Sequence, residues 1–177
     1  MSGNQTASNL TGFLDSVASK LSADGFSVQR RVQANQYSLD ILASRTTQGM
    51  LRVGAEVPYS NVVGLCSTPI SDSDGVQLYS SSMGKYVREN RKSLKARRGN
   101  LSTIAAIVSP SFPDSTKRWV AQTPPSWSIL SGRAEFPLLI ELDTRQLTYY
   151  NQTHFQIGNP DPLYKLLRNS RDKWFGF

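Results

Sequence analysis

The run "LSTIAAIVSP", residues 101–110, has almost no polar break, and it constrains the fold of this chain more than any other stretch. A strand wet on one face alternates apolar and polar residues. A strand apolar at successive positions is covered on both faces, as parallel strands inside α/β sheets are. A parallel neighbour needs a crossover of a dozen or more residues. The preceding segment supplies one: Val76, Tyr79, Met83, Val87, Asn90 and Leu94 keep helical spacing over 76–98, with Asn90 the one polar interruption and Tyr86 widening the stripe. Residues 101–109 are therefore expected to form an interior strand, with the 76–98 helix packed across the sheet.

The rest of the chain fits around that unit. Leu10, Phe13, Leu14, Val17 and Leu21 recur at spacings of three and four, and Gly25 follows where a left-handed residue closes a helix. Phe26, Val28 and Val32 then alternate as a strand. Tyr37, Leu39, Ile41 and Ala43 form one face of a second strand, and Leu51, Val53, Ala55 and Val57 one face of a third, joined through "RTTQG" as a hairpin. Beyond residue 112, "DSTKRWVAQT" reads as a short helix capped by Asp114 and stopped at Pro124 and Pro125. "EFPLLIELDTRQLTYYN" reads as a further hairpin whose Pro137 places its first strand at an edge or at its own beginning. One short helix and an aromatic tail, "KWFGF", end the chain, the tail expected to dock on the domain.

At 177 residues there is material for one full core and little for two. The expected organisation is a disordered polar start over 1–8 and a single α/β domain with a mixed sheet over 9–177. Within it, 9–112 form the core and 113–177 the short helix, hairpin and tail. No stretch approaches the roughly 18 to 20 continuous apolar residues of a membrane span, and the polar N-terminus lacks a signal-peptide pattern, so a cytoplasmic location is expected. The one cysteine, Cys66, excludes an internal disulfide and is expected as a buried thiol. The one histidine, His154, excludes a histidine-based metal cage.

Two features carry chemistry. The first is the pair Asp40 and Glu56 on the hairpin strands. With the turn centred near Thr47, Asp40 faces Gly54 and Glu56 sits one diagonal step away, at roughly 7 to 8 Å, which allows both to hold a cation such as Mg²⁺. The ordinary reading of such acids, and the one with the greater weight, is the wet face of a hairpin. The second is the charge of the 85–98 segment. Of the net +7, this segment carries +6, from Lys85, Arg88, Arg91, Lys92, Lys95, Arg97 and Arg98 against Glu89. On a continuous helix Arg88, Lys92 and Lys95, with Arg91 beside them, share a face away from the apolar stripe. With Arg98 they form a row suited to the phosphates of a nucleic acid. An acidic protein would be attracted by the same field.

The order helix, strand, acid-bearing hairpin, helix, buried strand over residues 8–112 resembles the restriction-endonuclease-like fold of the PD-(D/E)xK nuclease superfamily. "GFSVQRRVQANQYSLDILASR" resembles the stretch that brings in the first catalytic acid, here Asp40. "RVGAEVP" lies where the acid-x-Lys motif is found, so that Glu56 matches the second acid and Pro58 stands at the lysine position. Some members supply the cation from the following helix, where Lys85 is the first candidate. The resemblance implies a mixed-sheet α-β-β-β-α-β core, Mg²⁺ held by Asp40 and Glu56, and a nucleic-acid-associated protein with weak nuclease activity or none, since proline neither activates water nor stabilises phosphate charge. The competing expectation is a noncatalytic interaction module that contacts a protein through its basic helix and aromatic tail.

Overall fold

The computed structural model describes residues 3–50, 56–95, 100–128, 133–150 and 171–176. In chain order they form α1 (Gly3–Ala23), β1 (Ser27–Ala34), β2 (Tyr37–Met50), β3 (Glu56–Cys66), α2 (Ser73–Glu89), β4 (Asn100–Ser109), α3 (Asp114–Gln122), β5 (Ser126–Ser128), β6 (Arg133–Glu141), β7 (Gln146–Thr148) and a π-helical turn at Arg171–Phe175. The strands make one seven-stranded mixed sheet in the order β1-β2-β3-β4-β6-β5, with β7 also on β6. β1, β2 and β3 are antiparallel neighbours, whereas β3, β4 and β6 run parallel. The apolar run thus lies in the interior as β4, reached from β3 through α2.

Each face of the sheet has its own core. On one, Val17 and Leu21 of α1 pack with Ile41, Val63, Ile104 and Phe136. On the other, Val76, Tyr79, Met83 and Val87 of α2 and Val120 of α3 pack with Leu42, Val62, Ala105 and Leu139. Alternate residues of β4 enter opposite cores, Ile104 and Ala106 one, Ala105 and Ile107 the other, which is why its sequence has no polar period. α1 closes as its sequence requires: Gly25 takes φ +81° and the Phe26 N–H reaches back to the Leu21 carbonyl at 3.1 Å.

Several expectations are corrected. α1 begins at Gly3, so most of the polar 1–8 start is helical backbone. Tyr37 and Leu39 do not share a layer with Ile41 and Ala43: the former pack on the α2 side and the latter on the α1 side, and the partner strand changes sides with them between Val28 and Val32. The ladder lapses at this level, where Arg31, with φ +54°, stands opposite Asp40. The hairpin end therefore curls over α2, where Asn35 Nδ2 donates to the Ser82 carbonyl at 3.1 Å and Tyr37 stands edge-on to Tyr79. Pro137 is neither at the start of its strand nor on an edge strand. It sits mid-β6, in the gap between the residues that pair with β5 (133–135) and those that pair with β7 (139–141), so the missing N–H removes no rung on that side. Asp114 is the first residue of α3, and the cap position is Pro113.

The aromatic tail docks. Trp174 and Phe175 are buried in the α1-side core. The Trp174 indole donates from Nε1 to Asp24 Oδ2 at 2.9 Å and packs edge-on against Phe26. Asp24 also receives Lys173, and Arg45 reaches it at 3.2 Å while lying 4.6 Å over the Phe26 ring. Burial alone would push the Asp24 carboxyl up, but the hydrogen bonds from Lys173 and Trp174 and the charges of Arg45 and Lys173 outweigh it and hold the pKa below the usual value. Of the stretch 161–177, expected as a short helix and the tail, residues 161–170 lie outside the described residues, as does His154. Among the described residues no helix is long and apolar enough to cross a membrane.

Candidate nucleic-acid interface

The β2–β3 register separates the two acids. Met50 pairs with Glu56 and Ile41 with Leu65, so β2 runs straight on past Thr47 and does not reverse there; residues 51–55, with Leu51, Val53, Gly54 and Ala55 of the expected third strand, lie outside the described residues. Asp40 stands at the level of Cys66, ten residues from Glu56 along β3, which is roughly 33 Å at about 3.3 Å per residue. The expected diagonal pair across Gly54 is not formed, because moving the turn shifts every partner. Asp40 instead acts locally on the backbone. Its Oδ2 accepts the Ser67 N–H at 2.7 Å, extending the β2–β3 contact past the end of β3. The side chain of Glu56 lies outside the described residues. Among those described, no group of three or more His, Cys, Asp or Glu side chains is placed to hold a metal ion.

No described contact joins Lys85 to Asp40. Lys85 lies on α2 twelve residues beyond Ser73, roughly 18 Å along the helix axis at about 1.5 Å per residue. Its ammonium is exposed and loosely paired with Glu89 at 3.9 Å. Cys66, near Asp40, is a buried thiol: burial pushes its pKa up to about 11, although the neighbouring Tyr79 hydroxyl acts to lower it.

The basic segment is likewise rebuilt. α2 ends at Glu89 with Asn90 as its C-cap, not at residue 98. Asn90 uses both its backbone N–H and its side-chain amide on the Tyr86 carbonyl, each at 3.0 Å. The polar interruption in the apolar stripe was the sign of this stop, since such side chains compete with the helix ladder. Arg88, Lys92 and Lys95 therefore form no single helical row. Residues 90–95 instead make a fastened turn. Leu94 is buried in the α2-side core, and its N–H bonds to the Asn90 carbonyl at 3.1 Å. Lys95 takes φ +52°, and its carbonyl accepts the Thr46 hydroxyl of β2 at 3.0 Å; Thr46 in turn lies 2.9 Å from the Ser60 hydroxyl. Lys92 and Lys95 project into solvent from this turn, whereas Arg91 is half-buried. Arg97 and Arg98 lie outside the described residues.

Arg88 faces inward. Its Nη1 donates to Glu135 Oε1 at 2.7 Å, with 35% of the arginine side chain and 15% of the glutamate accessible. Glu135 points from β6 to the underside of α2 at Gly84, where a Cβ would come within 2.8 Å of Oε2 and closer still to Oε1. Sequence reasoning missed Glu135, Gly84 and Thr46. The glycine inside an otherwise regular helix was the available sign of a close approach.

Comparisons of the chain with protein-family models, with curated proteins and with solved structures find no match.

Proposed function

We propose that this chain is a noncatalytic nucleic-acid-binding domain that meets phosphates with the ammonium groups of Lys85, Lys92 and Lys95. The observation that carries the reading is the fastened 90–95 turn. Leu94 inside and Thr46 beside it hold the backbone, so two lysines are presented outward at little further ordering cost. The charge distribution supports it: 85–98 carries +6, and the rest of the chain is nearly neutral. The reading also takes residues 3–109 as a restriction-endonuclease-like core without an assembled catalytic centre. The order α1, β1, β2, β3, α2, β4 supports that ancestry, and the separation of Asp40 from Glu56 is the reason no cleavage step is included.

Fluorescence anisotropy with labelled nucleic acid tests it. Three phosphate contacts give a slope near −2.7 in log K against log salt, so affinity should fall about 40-fold between about 50 and about 200 mM. Lys85→Ala/Lys92→Ala/Lys95→Ala should remove most of the binding and most of that slope, with the fold intact because these side chains are exposed. Binding indifferent to both salt and the triple substitution would overturn the proposal.

A further inference from the structure

We infer that the interface takes the backbone of a double-stranded nucleic acid and does so without reading its sequence; this rests on the nucleic-acid reading above. Three polar side chains beside the lysines are engaged inside the protein. The Asn90 amide donates to the Tyr86 carbonyl at 3.0 Å, the Ser93 hydroxyl to the Asn90 carbonyl at 2.8 Å, and the Thr46 hydroxyl to the Lys95 carbonyl at 3.0 Å. Amides and hydroxyls are the groups that read base edges, and each of these already fastens the turn. The neighbouring rings face inward. Tyr79 is fully buried and donates to the Gly64 carbonyl at 3.0 Å, Tyr37 stands against it, and Tyr86 packs on the same core. Stacking a base on any of them would require uncovering a packed face.

Among the described residues of the basic segment, the two arginines are withdrawn as well. A guanidinium makes the commonest bidentate contact to guanine, but Arg88 is held by Glu135, and Arg91 is half-buried and engaged within the protein. Among the described residues, what projects outward from the segment is the ammonium of Lys85, Lys92 and Lys95, a hydrated point charge that meets phosphate without a preferred plane. A duplex, with one negative charge per about 1.7 Å of axis, offers fixed lysines more counter-charge than a single strand does.

The test titrates the wild-type chain with two DNA duplexes of equal length and unrelated sequence, an RNA duplex, and the single strands, at about 50 mM salt. The two DNA duplexes should bind within about twofold of each other and several-fold tighter than their strands, and Arg88→Ala should leave duplex affinity within about twofold. Tighter binding of DNA or of RNA duplex identifies which backbone fits, and either supports the inference. A tenfold preference between the DNA duplexes, or tighter binding of single strands, overturns it while leaving the binding reading in place. These arms use the wild-type chain alone and stand even if Arg88→Ala does not fold. Absence of binding to every probe removes the underlying reading as well.

Discussion

Replacing Gly84 by alanine should destabilise this protein, although the same change in a helix interior ordinarily stabilises by about 1 kcal/mol. Gly84 lies inside α2, five residues before its last residue, with ordinary helical backbone, so the propensity gain applies in full. Against it, the new methyl would occupy the space of the Glu135 carboxylate. Glu135 would have to swing away and give up the 2.7 Å bond to Arg88. Losing a charge-assisted bond costs about 1.5–3 kcal/mol, with the upper end favoured because the carboxylate is largely shielded from water. The balance is a loss of about 1–2 kcal/mol, or about 3–6 °C in Tm for a chain of this size. Urea unfolding followed by circular dichroism measures it. The sharper test is a change of sign: in a Glu135→Ala background the obstacle is gone, and Gly84→Ala should stabilise by about 1 kcal/mol. A single Gly84→Ala variant more stable than wild type would refute the close-approach argument.

Trp174→Ala should cost about 3–5 kcal/mol, as a fully buried indole with a hydrogen bond to Asp24 is removed; a loss under about 1 kcal/mol in urea unfolding would mean the tail is not part of the core. Because the folded-state pKa of Asp24 is depressed, its contribution is present above the unfolded carboxylate value and is lost as pH falls through the folded one. Asp24→Asn should therefore lower stability at neutral pH and flatten the acid limb below about pH 4 in pH-dependent melting. Asp40→Asn keeps an acceptor for the Ser67 N–H and should shift stability by less than about 1 kcal/mol. Mg²⁺ should change the Tm of wild type and Asp40→Asn equally, and a metal-induced rise lost only in the variant would restore a metal role for Asp40.

The sequence determined the layers of this protein. The unbroken run from Leu101 to Val108 required cover on both faces, and the stripe Val76, Tyr79, Met83 and Val87 supplied one of the covers. Both are properties of local spacing, which survives any choice of partner. Register is not such a property. The observed register and one that turns near Thr47 both leave alternating apolar strands, yet they differ by twelve residues in which part of β3 stands opposite Asp40. Only pairing along the whole hairpin, completed by β4 on the far side of β3, decides between them. The basic segment divides in the same way. Its charge was legible as composition, but which cations reach solvent depended on Asn90 ending the helix, on Leu94 turning back into the core, and on a carboxylate from β6 claiming Arg88. Glu135 lies 47 residues further along the chain than Arg88. A contact across that separation leaves no periodic trace, because it is set by the meeting of two elements and not by the spacing within either.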